Sequence, residues 1–501
     1  MPVTRDTAAA IGRLLGPALA LAAFLLLPEQ STSGSGGLSP AGLATAAVAV
    51  WMATWWLTEA VPIAATALLP IVLFPLLGAA GVKDATAPYA NPLIFLFMGG
   101  FIIGLAIQRF DLHRRIALQV LRRVGTSPPR LIGGFMFASA LLSMWISNTA
   151  TAIMMLPIGA SVLGMLREHA APGPTDEVGS GAGSKALATA LVLGIAYGCS
   201  IGGIATLVGT PPNLILAAFL EKQYGIRVTM LDWFAVGLPL MLIMLPATWW
   251  YLTRIAFPVP ARPLPGGREV IHRALAAMGR MTRAERIVLG VFVLTAAAWI
   301  LRPQLVAWTG VRALDDTVIA LLGALALFVI PVGRDAGGAT RFAMDWNTAK
   351  QVPWDILILF GGGLSLADAI SRNGVDTFIG SAFVTLAGAP LWLIVLAVVA
   401  MVIFLTEITS NTAVTTTLMP VLAATALALD LPAGTLLIAA TVSASCAFML
   451  PVATPPNAIV FSSGYVTIAD MARAGFWLNL AAIVIVTAVT YFAAGLVLAS
   501  V

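Results

Sequence analysis

Apolar runs recur along this sequence at residues 12–28, 41–58, 62–80, 91–109, 187–221, 231–253, 287–301, 317–332, 354–371, 435–462 and 474–499. Many have the roughly 17 to 25 residues needed to cross ~30 Å of hydrocarbon. With so many crossings the chain is expected to be an all-α polytopic membrane protein. A soluble protein with a large core is excluded by composition: 59% of the 501 residues are hydrophobic and only 10% charged, where a soluble domain carries about 25%. The first run, Ile11 to Pro28, is followed by Glu29-Gln30-Ser31 and a Gly/Ser-rich loop. It reads as a first span, because a small-residue cleavage site is lacking. Cys199 and Cys446 lie within apolar stretches, so neither a disulfide framework nor a metal site is indicated.

Two further apolar stretches, 130–166 and 390–427, are each divided near the middle by a polar cluster. Interrupted helix at membrane depth is tolerated only where it is buried in protein or lines a cavity, which predicts two re-entrant hairpins. Charge supports this. With the N-terminus inside, 21 of the 27 Lys and Arg fall on cytoplasmic segments, leaving Lys83, Lys222, Arg227, Arg302, Arg312 and Arg372 opposite. Basic residues accumulate on cytoplasmic loops, and the C-terminus then lies on the other side. The charge of +5 therefore follows topology and does not point to nucleic acid.

Two basic segments carry helical patterns. In Leu112–Val124, Leu112, Ile116, Val120 and Leu121 recur beside Arg114, Arg115, Arg122 and Arg123. Glu269–Met281 does the same through Ile271, Leu275 and Met278. Such helices lie in the interface plane, either as arms between moving and fixed parts or as surface anchors.

The sequence also repeats itself. Gly99 in Phe95–Gly100 matches Gly362 in Leu357–Gly363, Asn148 in Ser147-Asn148-Thr149-Ala150 matches Asn411 in Ser410-Asn411-Thr412-Ala413, and Pro157 matches Pro420, all at an offset of 263. Farther on, Gly209-Thr210-Pro211-Pro212-Asn213 matches Ala453-Thr454-Pro455-Pro456-Asn457 at 244. The Gly/Ala/Pro-rich loop around Ala171–Ser184, carried only by the first half, accounts for the difference. One hairpin opens to the cytoplasm and the other away from it, so the repeats are inverted. Inverted repeats with helices broken near the midplane are the mark of secondary transporters.

The breaks hold the chemistry. The first hairpin tip offers Ser143, Ser147, Asn148, Thr149 and Thr151, and the second Thr406, Thr409, Ser410, Asn411, Thr412, Thr415, Thr416 and Thr417. Each Pro-Pro removes two backbone donors and disfavours helix before it, so carbonyls are exposed at Thr210 and Thr454. Carbonyl, hydroxyl and Asn oxygens make a hard neutral cage suited to a cation such as sodium. Helix N-termini starting at the same breaks suit an anion. A single Ser-Asn-Thr would read as a helix cap or an interhelical hydrogen bond; two symmetric copies, each paired with a Thr-Pro-Pro-Asn break, read as a site. No Arg, Lys or His falls at either cluster. A dianion there needs compensation, which bound cations would supply, and this motivates symport. Proton coupling would place Asp, Glu or His at the site. Glu407 is the one exception and reads as structural, because Met144 holds the matching position. An enzyme would need a nucleophile–base pair or a metal cluster, and His113, His169 and His272 all sit in basic segments.

On these paired motifs the sequence resembles the divalent-anion:sodium symporters, which include dicarboxylate, citrate and sulfate carriers, over almost its whole length. The resemblance implies eleven spans plus two hairpins, a homodimer held by scaffold domains, and an elevator-type transport domain. Scaffold helices would occupy 1–110 and 287–371, arm segments 111–128 and 256–286. The transport domain would take 129–255 (hairpin 130–166, broken helix 187–221) and 390–501 (hairpin 390–427, broken helix 435–462, last helix 474–499). One sodium site is implied at Ser143, Ser147, Asn148 and Gly209, a second at Thr406, Thr409, Asn411 and Ala453. Substrate carboxylates would meet Asn148, Thr149, Asn411 and Thr412, with Thr210, Pro211, Thr454 and Pro455 closing the pocket. The expected activity is import of a C4 dicarboxylate of the succinate, malate or fumarate class with sodium, the alternatives being a sodium-independent di- or tricarboxylate exchanger and a sodium-sulfate symporter. The low Lys and high Arg and Ala content points to a bacterial inner membrane.

Overall fold

The computed structural model describes residues 5–29, 37–125, 127–169, 182–260, 267–334, 337–382 and 388–498, and these are overwhelmingly helical. Single helices cover the expected spans at Arg5–Leu26, Pro40–Thr58, Pro92–Arg109, Met230–Tyr251, Arg283–Ile300, Asp316–Val329, Trp354–Arg372 and Ile468–Leu498. Most of the loop 171–184 and all of the Gly/Ser-rich stretch 30–36 lie outside the described residues.

Both hairpins form. The first is Pro128–Ser143 followed by Asn148–His169, the second Leu391–Thr406 followed by Asn411–Ala428. Each expected broken helix is two helices with an extended residue between them. Ala182–Ile204 gives way to Pro211–Tyr224, and Ala433–Ala444 to Pro455–Ser462. Thr210 (φ −146°, ψ 142°) and Thr454 (φ −140°, ψ 150°) sit as N-caps before their proline pairs, the conformation that a following proline enforces.

Several details depart from the expected spans. Run 62–80 is two short helices, Ile63–Thr66 and Leu69–Leu76, because Pro70 cannot continue the turn before it. Arg283–Ile300 bends by 82° into a further helix, Arg302–Thr309, where Pro303 starts a new first turn. The last helix begins at Ile468 and not at 474. Thr467 and Asp470 cap its start, with Asp470 N–H donating to Thr467 Oγ1 at 3.1 Å. Pro331–Arg334 and Thr340–Phe342 pair as the one antiparallel sheet among the described residues.

The landmark glycines of the repeat have a packing reason. A Cβ on Gly99 would lie 2.8 Å from Ala320 Cβ, and one on Gly362 would lie 2.6 Å from Ala67 Cβ. Each half thus presses a bare helix face onto an element of the other half. The helix Ala182–Ile204 is buried from Leu187 to its end, whereas the first helix exposes Leu14, Leu21, Leu25 and Leu26. Large apolar side chains are also exposed at Leu76, Leu294, Trp308 and Val329. On a water-facing surface such a belt would be a liability; against acyl chains it is the required exterior.

Candidate functional site

The hairpin tips and the helix breaks converge on one cavity of about 710 Å³. Its wall includes Asn148, Thr149, Thr210, Pro211, Asn411, Thr412, Thr454 and Pro455, which are all of the residues expected to meet the substrate. Ser147, Gly209 and Ala453 line it as well. Helices Asn148–His169, Pro211–Tyr224, Asn411–Ala428 and Pro455–Ser462 all begin at this wall. Their first-turn N–H groups have no partner within the helix and carry the positive end of its dipole. Among the described lining residues none is Lys, Arg or His, and Glu59 is the one charged side chain.

Behind the wall, each asparagine is held by a hydroxyl. Ser143 Oγ lies 2.5 Å from Asn148 Oδ1, and Thr406 Oγ1 lies 2.6 Å from Asn411 Oδ1. Ser143 and Thr406 end their helices and are fully buried. Gly203 makes room for the first pair, since a Cβ there would stand 2.6 Å from Asn148 Oδ1. Thr409 is not brought to the wall. Its hydroxyl, in the turn after the helix that ends at Thr406, donates back to Leu405 O at 2.9 Å, and those of Thr415 and Thr416 donate to Asn411 O and Thr412 O within their own helix.

The unwound segments are fixed by the asparagines after the prolines. Asn213 Nδ2 donates to Gly203 O (3.1 Å) and Thr206 O (2.7 Å), and Asn457 Nδ2 to Ala447 O and Leu450 O, both at 3.1 Å. These bonds are related by the same offset of 244 that aligns the motifs. The second break has an extra support. Glu407, buried at the hairpin tip, accepts from the N–H groups of Phe448 (2.7 Å), Met449 (2.9 Å) and Leu450 (3.0 Å), and from Asn479 Nδ2 (2.7 Å). A carboxylate with so many donors is a structural acceptor, as its sequence context indicated. Tyr197, from the first half, donates to Phe448 O at 2.7 Å, so that residue is gripped from both sides.

Opposite the tips stands a wall that the polar motifs do not announce. Ile63, Phe101 and Ile356 line the cavity from Ile63–Thr66, Pro92–Arg109 and Trp354–Arg372. The same three residues lead into an adjoining space of about 540 Å³ bounded by Gln108, Trp145, Gln351 and Asp355. Trp145, at the first hairpin tip, stacks on Trp299 with ring centroids 6.2 Å apart and planes 3° from parallel.

Comparison with known proteins accords with this geometry. Residues 10–499 match the family described as sodium:sulfate symporter transmembrane region. The chain is 40% identical over 485 residues to a sodium-dependent dicarboxylate transporter SdcS of Staphylococcus saprophyticus, covering 96% of this chain and 91% of that one. To the protein of the same name from Staphylococcus aureus strain USA300 it is 40% identical over 490 residues, covering 97% and 92%. The crystal structure of the Alcanivorax borkumensis YdaH transporter covers 96% of each chain with a TM-score of 0.54 at 12% identity, a likeness of fold alone. The chain is a membrane transporter and belongs to the sodium:sulfate symporter family, the divalent-anion:sodium symporters that its paired motifs resemble.

Proposed function

We propose that this protein imports a C4 dicarboxylate of the succinate, malate or fumarate class, coupled to sodium, by an elevator alternating-access motion. The observation that carries the reading is the duplicated hydroxyl–asparagine pair on either side of a cavity whose described lining holds no cationic side chain. Sodium at Ser143, Ser147, Asn148 and the Gly209 carbonyl, and at Thr406, Thr409, Asn411 and the Ala453 carbonyl, would supply the missing positive charge. Thr409 would join through the lone pairs that its hydroxyl keeps while donating to Leu405 O. The dianion would span the cavity, one carboxylate at Asn148 and Thr149 and the other at Asn411 and Thr412, with Thr210, Pro211, Thr454 and Pro455 beneath. Two relatives named as sodium-dependent dicarboxylate transporters support both the ion and the substrate class.

The moving body in this reading is 129–255 with 390–501, sliding on scaffold helices from 1–110 and 287–371 in a homodimer, with 111–128 and 256–286 as arms. An apolar scaffold face at Ile63, Phe101 and Ile356 suits sliding, since it makes no directional bonds to the tips. The bilayer would be a bacterial inner membrane, with the N-terminus cytoplasmic. The test is uptake of radiolabelled succinate into proteoliposomes under an inward sodium gradient against a matched potassium gradient. Sodium-driven accumulation is expected. Uptake indifferent to sodium but driven by internal dicarboxylate would make the protein an exchanger and sink the symport reading; uptake of sulfate or citrate in place of succinate would overturn the substrate class.

A further inference from the structure

A separate cavity of about 310 Å³ lies away from the transport site, between the arm helix Leu112–Val124, the helix Asn148–His169 and the helix Gly267–Ala277. Leu118, Met154, Ile158 and Ile271 make its wall apolar, and its charged lining residues are Asp111 and Arg114. Both are exposed, the Asp111 side chain by 67%, so the charge stands at the mouth and the apolar wall behind it. Two residues separate the arm from the end of the helix Pro92–Arg109. That is the level at which hydrocarbon gives way to headgroups.

The arm is fixed from its other face. Arg115 donates to Glu285 Oε1 at 2.6 Å and to Gly279 O at 2.9 Å, which ties the arm to the segment that follows the helix Gly267–Ala277. Its neighbour Arg114 makes no hydrogen bond or ion pair among the described residues. His113 adds no charge. Burial, opposed by the Ile107 carbonyl 3.2 Å from Nδ1, holds its imidazole below the usual value. The mouth therefore presents one cation and one anion, Asp111 at the N-cap, its Oδ1 3.8 Å from His113 Nε2, and Arg114 in the first turn, both lining the same cavity. That pattern fits a zwitterionic headgroup carrying a phosphate and a primary ammonium. An anionic headgroup would set its extra charge against Asp111, and a choline headgroup has no N–H to donate.

We propose that this cleft binds a phosphatidylethanolamine-type phospholipid, its phosphate on Arg114, its ammonium on Asp111 and an acyl chain along Leu118, Met154, Ile158 and Ile271. A lipid seated there touches the arm and the first hairpin together, and so joins two elements on which transport depends.

The test is native mass spectrometry of the full-length protein in detergent, titrated with phosphatidylethanolamine, phosphatidylcholine and phosphatidylglycerol of matched acyl chains. The unsubstituted protein should bind phosphatidylethanolamine most tightly. Arg114→Gln should weaken all three by about tenfold, the weight of one charged hydrogen bond. Asp111→Asn, which keeps a residue tolerant of the positive φ of 54° found there, should abolish the preference over phosphatidylcholine and the discrimination against phosphatidylglycerol. Ala274→Trp should fill the cleft and weaken all three. Equal or tighter binding of phosphatidylglycerol, or an undiminished preference in Asp111→Asn, overturns the proposal. So does binding unchanged in both Arg114→Gln and Ala274→Trp, since the lipid is then elsewhere. Competition by glycerophosphoethanolamine as strong as by the intact lipid would also overturn it, by removing the acyl chain from the account.

Discussion

The Thr406 hydroxyl lies 2.6 Å from Asn411 Oδ1 and 3.0 Å from Ala444 O, two acceptors for its single proton. Three oxygens already converging in a buried corner, the Thr406 hydroxyl among them, are the beginning of a cation cage. Thr406→Val keeps the shape and removes one of them. An oxygen that meets a bound cation contributes about as much as a hydrogen bond to a charged group, about 1.5–3 kcal/mol, so its loss should raise the sodium half-saturation of succinate uptake roughly ten- to a hundredfold. Thr406→Ser should stay near the unsubstituted protein. Sodium dependence unaltered in Thr406→Val would remove this hydroxyl from the proposed site.

Glu407 should behave as a structural acceptor. Glu407→Gln keeps two acceptor positions at most and turns an amide N–H toward the donors at 448–450. Hydrogen bonds to a charged group contribute about 1.5–3 kcal/mol, so the melting temperature should fall clearly while sodium remains the coupling ion. A Gln variant as stable as the parent, with uptake newly independent of pH, would instead make Glu407 a proton carrier.

What the sequence reveals here divides along physical lines. Polar residues inside apolar runs are costly, so Asn148, Asn411 and the hydroxyls beside them were legible as a site, and the Thr-Pro-Pro breaks were legible because proline forbids the alternative. The wall at Ile63, Phe101 and Ile356 was not, since an apolar residue facing a cavity looks in sequence like one facing lipid or core. Thr409 illustrates the opposite limit: composition places a hydroxyl near the tip, but not that it bonds Leu405 O. The last helix starts at Ile468, before the apolar run at 474, because the cap that Thr467 and Asp470 form is polar and carries no hydrophobic signal.

The matched glycines permit a sharp comparison. Gly99→Ala puts a methyl 2.8 Å from Ala320 Cβ, whereas Gly100→Ala meets Val208 Cγ1 at an ordinary 3.4 Å. Overpacking costs about 1–3 kcal/mol. Gly99→Ala, and Gly362→Ala with it, should lower the thermal midpoint and the monodisperse yield, and Gly100→Ala should not. Equal tolerance of all three would mean that the two halves pack less closely than described.

Arg115 and Glu285 form a buried pair, 2.6 Å apart, with Glu285 Oε2 also accepting from Thr282 N–H at 2.6 Å. Removing one partner strands the other's charge, at about 3–5 kcal/mol. Arg115→Met and Glu285→Met should each destabilise strongly in thermal unfolding, and the double variant less than their sum. Additive losses would show that the arm is held by Gly279 and Met278 carbonyls rather than by the carboxylate.

Asn213 and Asn457 fix the unwound segments without facing the cavity as the tip asparagines do, which separates an effect on the cation from one on the anion. Asn213→Ala frees the carbonyls of Gly203 and Thr206 and so loosens the segment that ends at Gly209. If a cation there makes the dianion bind, weakening the cation raises the apparent succinate KM only while sodium is limiting, because the two ligands are linked. Raising sodium should therefore restore the KM of Asn213→Ala. Thr149→Val, by contrast, removes a hydroxyl from the cavity wall itself, and no sodium concentration should restore its KM. The measurement is succinate KM against external sodium for both variants in proteoliposomes. Rescue of both would place Thr149 in the cation shell, and rescue of neither would detach the Asn213 segment from sodium altogether.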